Sequence, residues 1–199
     1  ENMNVLLRGD SITIDGTVEA LNVRAESVTG TKSVQEASVD EPVETFTASI
    51  YHMGATQDMP IDLLNASHTS AISVSDTALI HAAESIVLHA RVKQTGSMTV
   101  FFPYYVNFIN WKHATASVDI DGTLHTDHGS VIAESKIQTR AGYAFSINDD
   151  GKPEGLKGGM PIAVSYVDNE GSVRLHENGT IISGSDALLD ARSDIRVVT

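Results

Sequence analysis

Four groups of residues in this 199-residue chain have types and spacings that could do chemistry. Phe101, Phe102, Tyr104, Tyr105, Phe108 and Trp111 concentrate six of its eleven aromatics, including the only Trp, in one short stretch. Aromatic rings combine large apolar area with polar handles and suit contacts with sugars or proteins. The competing reading is that they fasten an insertion onto the body of the fold. Arg8-Gly9-Asp10 is the tripeptide that integrins read when a tight loop holds its two charges apart, although Gly-Asp ahead of a strand is equally an ordinary turn. His125-Thr126-Asp127-His128 places two imidazoles and a carboxylate together, and His81 and His89 flank another strand segment. Zinc needs three or four convergent ligands. In an extended chain His125 and His128 point to opposite faces, so they read as solvated turn residues and no metal site is expected. Asn148-Asp149-Asp150-Gly151, followed by Glu154, lacks the alternating oxygen ligands of an EF-hand and reads as a hairpin turn.

For catalysis the sequence offers no nucleophile elbow, metal-ligand helix or phosphate loop. Asp119 and Asp121 share a strand face, as the carboxylates of sugar-cleaving enzymes can. They recur with turn chemistry, however, and a repeated residue serves the repeat before it serves one active site. The chain is therefore read as non-enzymatic, with no catalytic residue and no cofactor; a β-helix polysaccharide lyase or glycosidase is the remote alternative. Thirteen Lys and Arg against 26 Asp and Glu give a formal charge of −13, which argues against nucleic acid, whose affinity comes from cations neutralising phosphates. No apolar run approaches the roughly 20 residues of a membrane helix, so no membrane insertion is expected. The start, Glu1-Asn2-Met3-Asn4, lacks a signal pattern, and any targeting segment is expected to lie elsewhere in a longer chain. With no Cys there is neither a disulfide framework nor a thiolate site.

These residues are positioned by a repeat. Ser11-Ile12-Thr13-Ile14-Asp15-Gly16-Thr17-Val18 is echoed by Ser117-Val118-Asp119-Ile120-Asp121-Gly122-Thr123-Leu124. A second echo runs through Ala25-Glu26-Ser27, Ala83-Glu84-Ser85, Ala133-Glu134-Ser135 and Ala191-Arg192-Ser193, with Ala spacings of 58, 50 and 58. A third links Met59-Pro60-Ile61 to Met160-Pro161-Ile162. The copies fall at about 5–28, 61–92, 106–141 and 156–199, with insertions at 29–60, 93–116 and 142–160. Apolar residues alternate within the copies, as in Ile12/Ile14, Val118/Ile120 and Ile86/Leu88, which signals strands. Asp15-Gly16, Asp121-Gly122, Asn178-Gly179 and Asp150-Gly151 are expected to supply turns with positive φ. Of two stretches with tolerable helical composition, 33–41 and 76–90, the second reads as strand because its echoes do.

Short strands at spacings near ten residues fit an antiparallel sandwich or a parallel β-helix, and similar repeats separated by unequal insertions favour the latter. The expected fold is all-β, a right-handed parallel β-helix (solenoid) with irregular insertions, forming one segment over 1–199. A 58-residue unit divided into three coils of about 19 predicts eight to ten coils, a rod of roughly 40 to 50 Å at about 4.8 Å per coil.

Residues 156–197 run from Gly158-Gly159-Met160-Pro161-Ile162 through Val173-Arg174-Leu175 and Asn178-Gly179-Thr180 to Gly184-Ser185-Asp186 and Ala187-Leu188-Leu189-Asp190-Ala191. This pattern resembles the repeat of large secreted bacterial adhesins of the filamentous-haemagglutinin and leukotoxin-like filamentous adhesin type: an apolar stretch, an alternating strand, a Gly-Thr turn, then Gly-Gly-Asp and a strand ending in Ala. Gly184-Ser185-Asp186 and Gly129-Ser130-Val131 depart from Gly-Gly-Asp, and the second copy lacks the Gly. The resemblance implies a parallel β-helix, an exported bacterial origin at the cell surface or secreted, and a segment of a longer rod. It implies attachment to a host-cell or bacterial surface protein or glycan. The alternative reading is a carbohydrate- or receptor-binding module using 101–111. Uncapped apolar ends predict end-to-end self-association of the chain.

Overall fold

The computed structural model describes residues 3–30, 65–100, 108–145 and 163–198. The expected insertions 29–60 and 142–160, the third echo, the Asn148–Glu154 turn and most of the aromatic stretch fall largely or wholly outside them, whereas the expected insertion 93–116 is described except for 101–107 and its described residues are strand. The described residues form eleven strands and no helix: β1 (Asn4–Gly9), β2 (Ser11–Ile14), β3 (Thr17–Gly30), β4 (Asn65–Val74), β5 (Leu79–Val100), β6 (Phe108–Ile120), β7 (Thr123–Thr126), β8 (Val131–Phe145), β9 (Ala163–Leu175), β10 (Thr180–Ile182) and β11 (Ala187–Val198). No helix among them is long and apolar enough to cross a membrane. The 76–90 stretch is strand from Leu79 onward, because Ile80, Ala82, Ile86, Leu88 and Ala90 bury one face and leave the other partly open to water.

Every pairing is parallel. One sheet runs β1-β3-β5, after which β5 carries β7 on its first half and β8 on its second, followed by β10 and β11; the other runs β2-β4-β6-β9. Chain order and layer order coincide. The two sheets enclose a core of inward side chains, with Ile12, Ile72 and Val118 in one ladder and Val23, Ile86 and Val131 in the other. Backbone hydrogen bonds continue through the corner between the sheets: Ser75 N–H donates to Ile14 O (3.0 Å), Asp121 N–H to Val74 O (2.9 Å) and His176 N–H to Ile120 O (2.8 Å). The polar pairs of this corner stack likewise, since Asp15 Oδ1 accepts from Ser75 (2.9 Å) and Thr77 (2.8 Å) of the next layer.

The sequence expectation of three coils per unit is corrected by the register. Partners are offset by 18 residues from Asn4 to Asn22, by 45 from Gln94 to Thr139 and by 57 at the corner where Asn178 meets Asp121. The first layer thus takes 18 residues, close to the expected coil of about 19, whereas each later layer takes about 45 to 60, the remainder being long strand and intervening chain. Among the described residues there are five layers in the first sheet, separated in total by about 19 Å at 4.8 Å per step. Lengthening a loop costs little entropy, so equal spacing was never required.

A second correction concerns the turns. Among the described glycines only Gly16 has a positive φ, +146°. Gly122 and Gly179 are needed for close approach instead, because a Cβ at either would collide with the carbonyl oxygen of the neighbouring layer, Ser75 and Ile120 respectively. Stacked corners leave no room for a side chain directed along the stack.

Candidate functional site

The inward positions are filled mainly by Val, Ile, Leu and Ala, with hydrogen-bonded Ser70, Ser135, Gln94 and Thr139 and the buried Lys112 among them, so solvent-accessible chemistry is confined to the outer faces and corners. On the outer face of the long strands the register lines up Glu26, His89, Glu134 and Asp190 in one column and Val28, Arg91, Lys136 and Arg192 in another two residues along. Arg91 Nη2 donates to Glu134 Oε2 at 2.9 Å, Arg192 pairs with Asp190 at 2.5 Å, and Arg8 and Arg24 both bond Glu26. An acidic stripe beside a basic stripe neutralises itself, which suits a wall more than an ion-binding groove.

The RGD tripeptide lies where β1 gives way to β2. The Arg8 side chain is 70% exposed but its Nε donates to Glu26 at 2.9 Å, and the Asp10 carbonyl accepts from Ser27 Oγ at 2.7 Å. A receptor would have to displace Glu26 to take the guanidinium. The aromatic residues Phe101, Phe102, Tyr104 and Tyr105 lie outside the described residues. Phe108 and Trp111 are placed by backbone only, in β6, where Trp111 is the register partner of Asn65 and Tyr166. The carboxylates considered for sugar cleavage are both committed to the next layer. Asp119 meets His176 at 3.2 Å and Arg174 at 3.8 Å, and Asp121 accepts the Asn178 N–H at 3.3 Å.

Histidines on the outer faces pair with carboxylates one layer away: His81 with Asp127 (3.0 Å), His113 with Asp168 (3.2 Å) and His89 with Glu134 (3.6 Å). Only one such pair gains a third member among the described residues. His81 and His125 are direct register partners of β5 and β7, their rings stack with centroids 4.8 Å apart at 18°, and their ligand atoms and that of Asp127 all lie within 4.8 Å of one another. His125 and His128, read from the sequence as solvated turn residues, are not the pair that forms; His125 meets His81, 44 positions earlier. The signal was present in Leu79-Ile80-His81 and Thr123-Leu124-His125, which match once the copies are aligned on their corners. Aligning them on Ala83 and Ala133 shifts the frame by six residues and hides the match, whereas the register places Ala133 against Leu88.

Every resolved pKa shift is downward. Burial, then the Lys112 charge, lowers His68; burial, then the Arg91 charge, lowers His89 against the opposing pull of Glu134. Burial alone lowers Lys112, an inward residue of β6 that is only 1% exposed. Burial raises the Glu134 carboxyl, but the Arg91 hydrogen bond and the charges of Arg91, His89 and Lys136 outweigh it and hold it below the ordinary carboxylate range. A carboxyl depressed in the folded state adds stability that is complete above its unfolded pKa, about 4.3, and disappears as pH falls through the lower folded value. Glu134→Gln is therefore expected to cost about 1 kcal/mol at pH 7, a melting point roughly 2–4 °C lower. The gap to wild type should close on titration from about pH 4.3 downward, followed by circular dichroism melts. Comparing the two proteins cancels the relief of net negative charge that acid brings to both. A gap constant from pH 7 to 2 contradicts the Arg91–Glu134 assignment.

No protein-family model, curated protein or solved structure matches the chain.

Proposed function

We propose that the two ladders are walls of one right-handed parallel β-helix with irregular insertions. In this reading the chain is a non-enzymatic segment of a secreted or cell-surface bacterial adhesin, part stalk and part attachment surface for a protein or glycan on host or neighbouring cells. The observation that carries this reading is the coincidence of chain order with layer order in two all-parallel sheets. Such a stack spreads its stability over contacts between adjacent layers and grows by adding copies, which suits reach. The commitment of Asp119 and Asp121 to neighbouring layers, and of the charged columns to each other, supports a structural use of groups that an enzyme would leave free. The last layer also supports it. Leu175, Leu189 and Ile195 continue the inward columns of Ile120, Ala133 and Thr139, yet are 46%, 43% and 47% exposed. A sheet edge with its inner side chains open is a template for another layer.

The test displays the chain on a non-adherent bacterium and scores attachment to epithelial monolayers and to other displaying cells. Increased attachment is expected. If replacing Phe101, Phe102, Tyr104 and Tyr105 by Ser removes it, contact runs through the aromatic stretch; if Leu189→Lys removes cell-to-cell attachment alone, the layer edge mediates self-association. Cells that attach no better than the undecorated strain, with a purified chain whose scattering mass stays constant at rising concentration, would overturn the adhesive reading.

A further inference from the structure

We propose that His81, His125 and Asp127 form a binding site for one divalent transition-metal ion of the zinc, cobalt or nickel class, on the outer face of the first sheet. Imidazole suits these ions, and a carboxylate completes a common mixed donor set. The two imidazole Nε2 atoms converge on one oxygen: Asp127 Oδ1 lies 3.0 Å from His81 Nε2 and 3.8 Å from His125 Nε2. In a tetrahedral site with bonds near 2.0–2.1 Å, ligand atoms sit about 3.3 Å apart. Both separations are within about half an ångström of that requirement, and the third, between the two imidazoles, lies within 4.8 Å and closes by rotation of the two partly exposed rings.

The backbone brings the three ligand-bearing residues together before any ion arrives. His81 and His125 are paired across a parallel ladder, so their Cα separation is set by the sheet; their rings stack at 18°, and rotation about the side-chain torsions turns both Nε2 lone pairs onto one ion. Asp127 follows β7 directly, and its N–H donates to Ala82 O at 3.2 Å, the residue after His81. A main-chain hydrogen bond thus ties the carboxylate-bearing residue beside the first histidine. Side-chain exposures of 35%, 38% and 39% leave the group open to solvent without any opening of the fold.

The charge balance is favourable. Two neutral imidazoles and one carboxylate leave a bound divalent ion with one net positive charge and one tetrahedral position for water or an outside ligand. The chain's net charge of −13 raises the local concentration of cations. The His113–Asp168 and His89–Glu134 pairs have the same chemistry but lack the third ligand: the His81 group is the one set of three among the described residues. They serve as internal controls. This inference is independent of the adhesive reading, since it concerns three side chains and no receptor.

The experiment titrates the tag-free full chain with cobalt, reading the visible d–d bands, and with zinc against a chromophoric chelator. One ion per chain is expected, with affinity at least tenfold lower in His81→Ala, His125→Ala and Asp127→Asn, and unchanged in His113→Ala. Nitrogen-resolved NMR of wild-type imidazoles gives a reading that needs no variant: on zinc addition the His81 and His125 Nε2 resonances should move and that of His113 should not. Zinc should also raise the melting point of wild type but not of His81→Ala/His125→Ala. No binding by wild type, or equal binding by that double variant, overturns the proposal.

Discussion

Gly129→Ala is expected to lower stability by about 3 kcal/mol, the upper end for an overpacked site, and the melting temperature by roughly 6–12 °C. A Cβ at Gly129 would be driven into the Glu84 carbonyl oxygen of the layer beneath, with the Glu84 carbonyl carbon only 2.6 Å away. Both atoms belong to backbone that is itself held in the stack, where Ile86 N–H donates to Ser130 O at 3.1 Å and Ser185 N–H to Gly129 O at 3.0 Å. No side-chain rotation relieves the overlap, so two layers must separate locally. Gly171→Ala is the matched control. Its Cβ would approach the Ser135 hydroxyl to 3.3 Å and Ile137 Cδ1 to 3.8 Å, both side-chain atoms that can yield, so a change within about 0.5 kcal/mol is expected. Thermal melts of the two variants decide the matter. A Gly129→Ala protein melting with wild type would show that the corners do not stack as described.

Leu88→Ala is expected to cost about 4 kcal/mol, toward the upper end of buried leucine truncations. The reason lies in its column. Register places Ala25 below Leu88 and Ala133 above it, and all three side chains are fully buried. The large residue fills the space that its small neighbours leave, and neither alanine can reach into the vacated volume. Val5, half-buried in the first layer, has an open side, and Val5→Ala is expected to cost about 1 kcal/mol. Because stability in a stack is close to a sum of layer contacts, the Leu88 cavity should also uncouple the layers on either side. Hydrogen exchange should show protection falling across β3, β5 and β8 together; a loss confined to β5 would argue for a single core in place of coupled layers.

Much of this architecture was legible from residues alone. The echo between 11–18 and 117–124 is realised in three dimensions: Ile12, Ile72 and Val118 form one column, Ile14, Val74 and Ile120 another, with the two Asp-Gly corners two layers apart. The Ala-Glu-Ser echo is half right. Ala25 and Ala133 do share a column, with Leu88 between them, but Ala83 and Ala191 fall elsewhere, and Leu189 stands where the fourth copy was expected to place its alanine. Small and large residues alternate up that column because their volumes must sum to fill it. A repeat search rewards identity, and packing here rewards complementarity.

By itself the sequence determined that the chain forms strands with one buried face and where its corners fall, because alternation and turn chemistry are local properties of a few neighbouring residues. Only the tertiary structure decided that each layer after the first step takes a whole unit, that corner glycines are required for close approach, and that His81 meets His125 and Asp127. Those facts depend on backbone hydrogen bonds between residues about 45 to 60 positions apart, and a loop of almost any length can bring such residues into register.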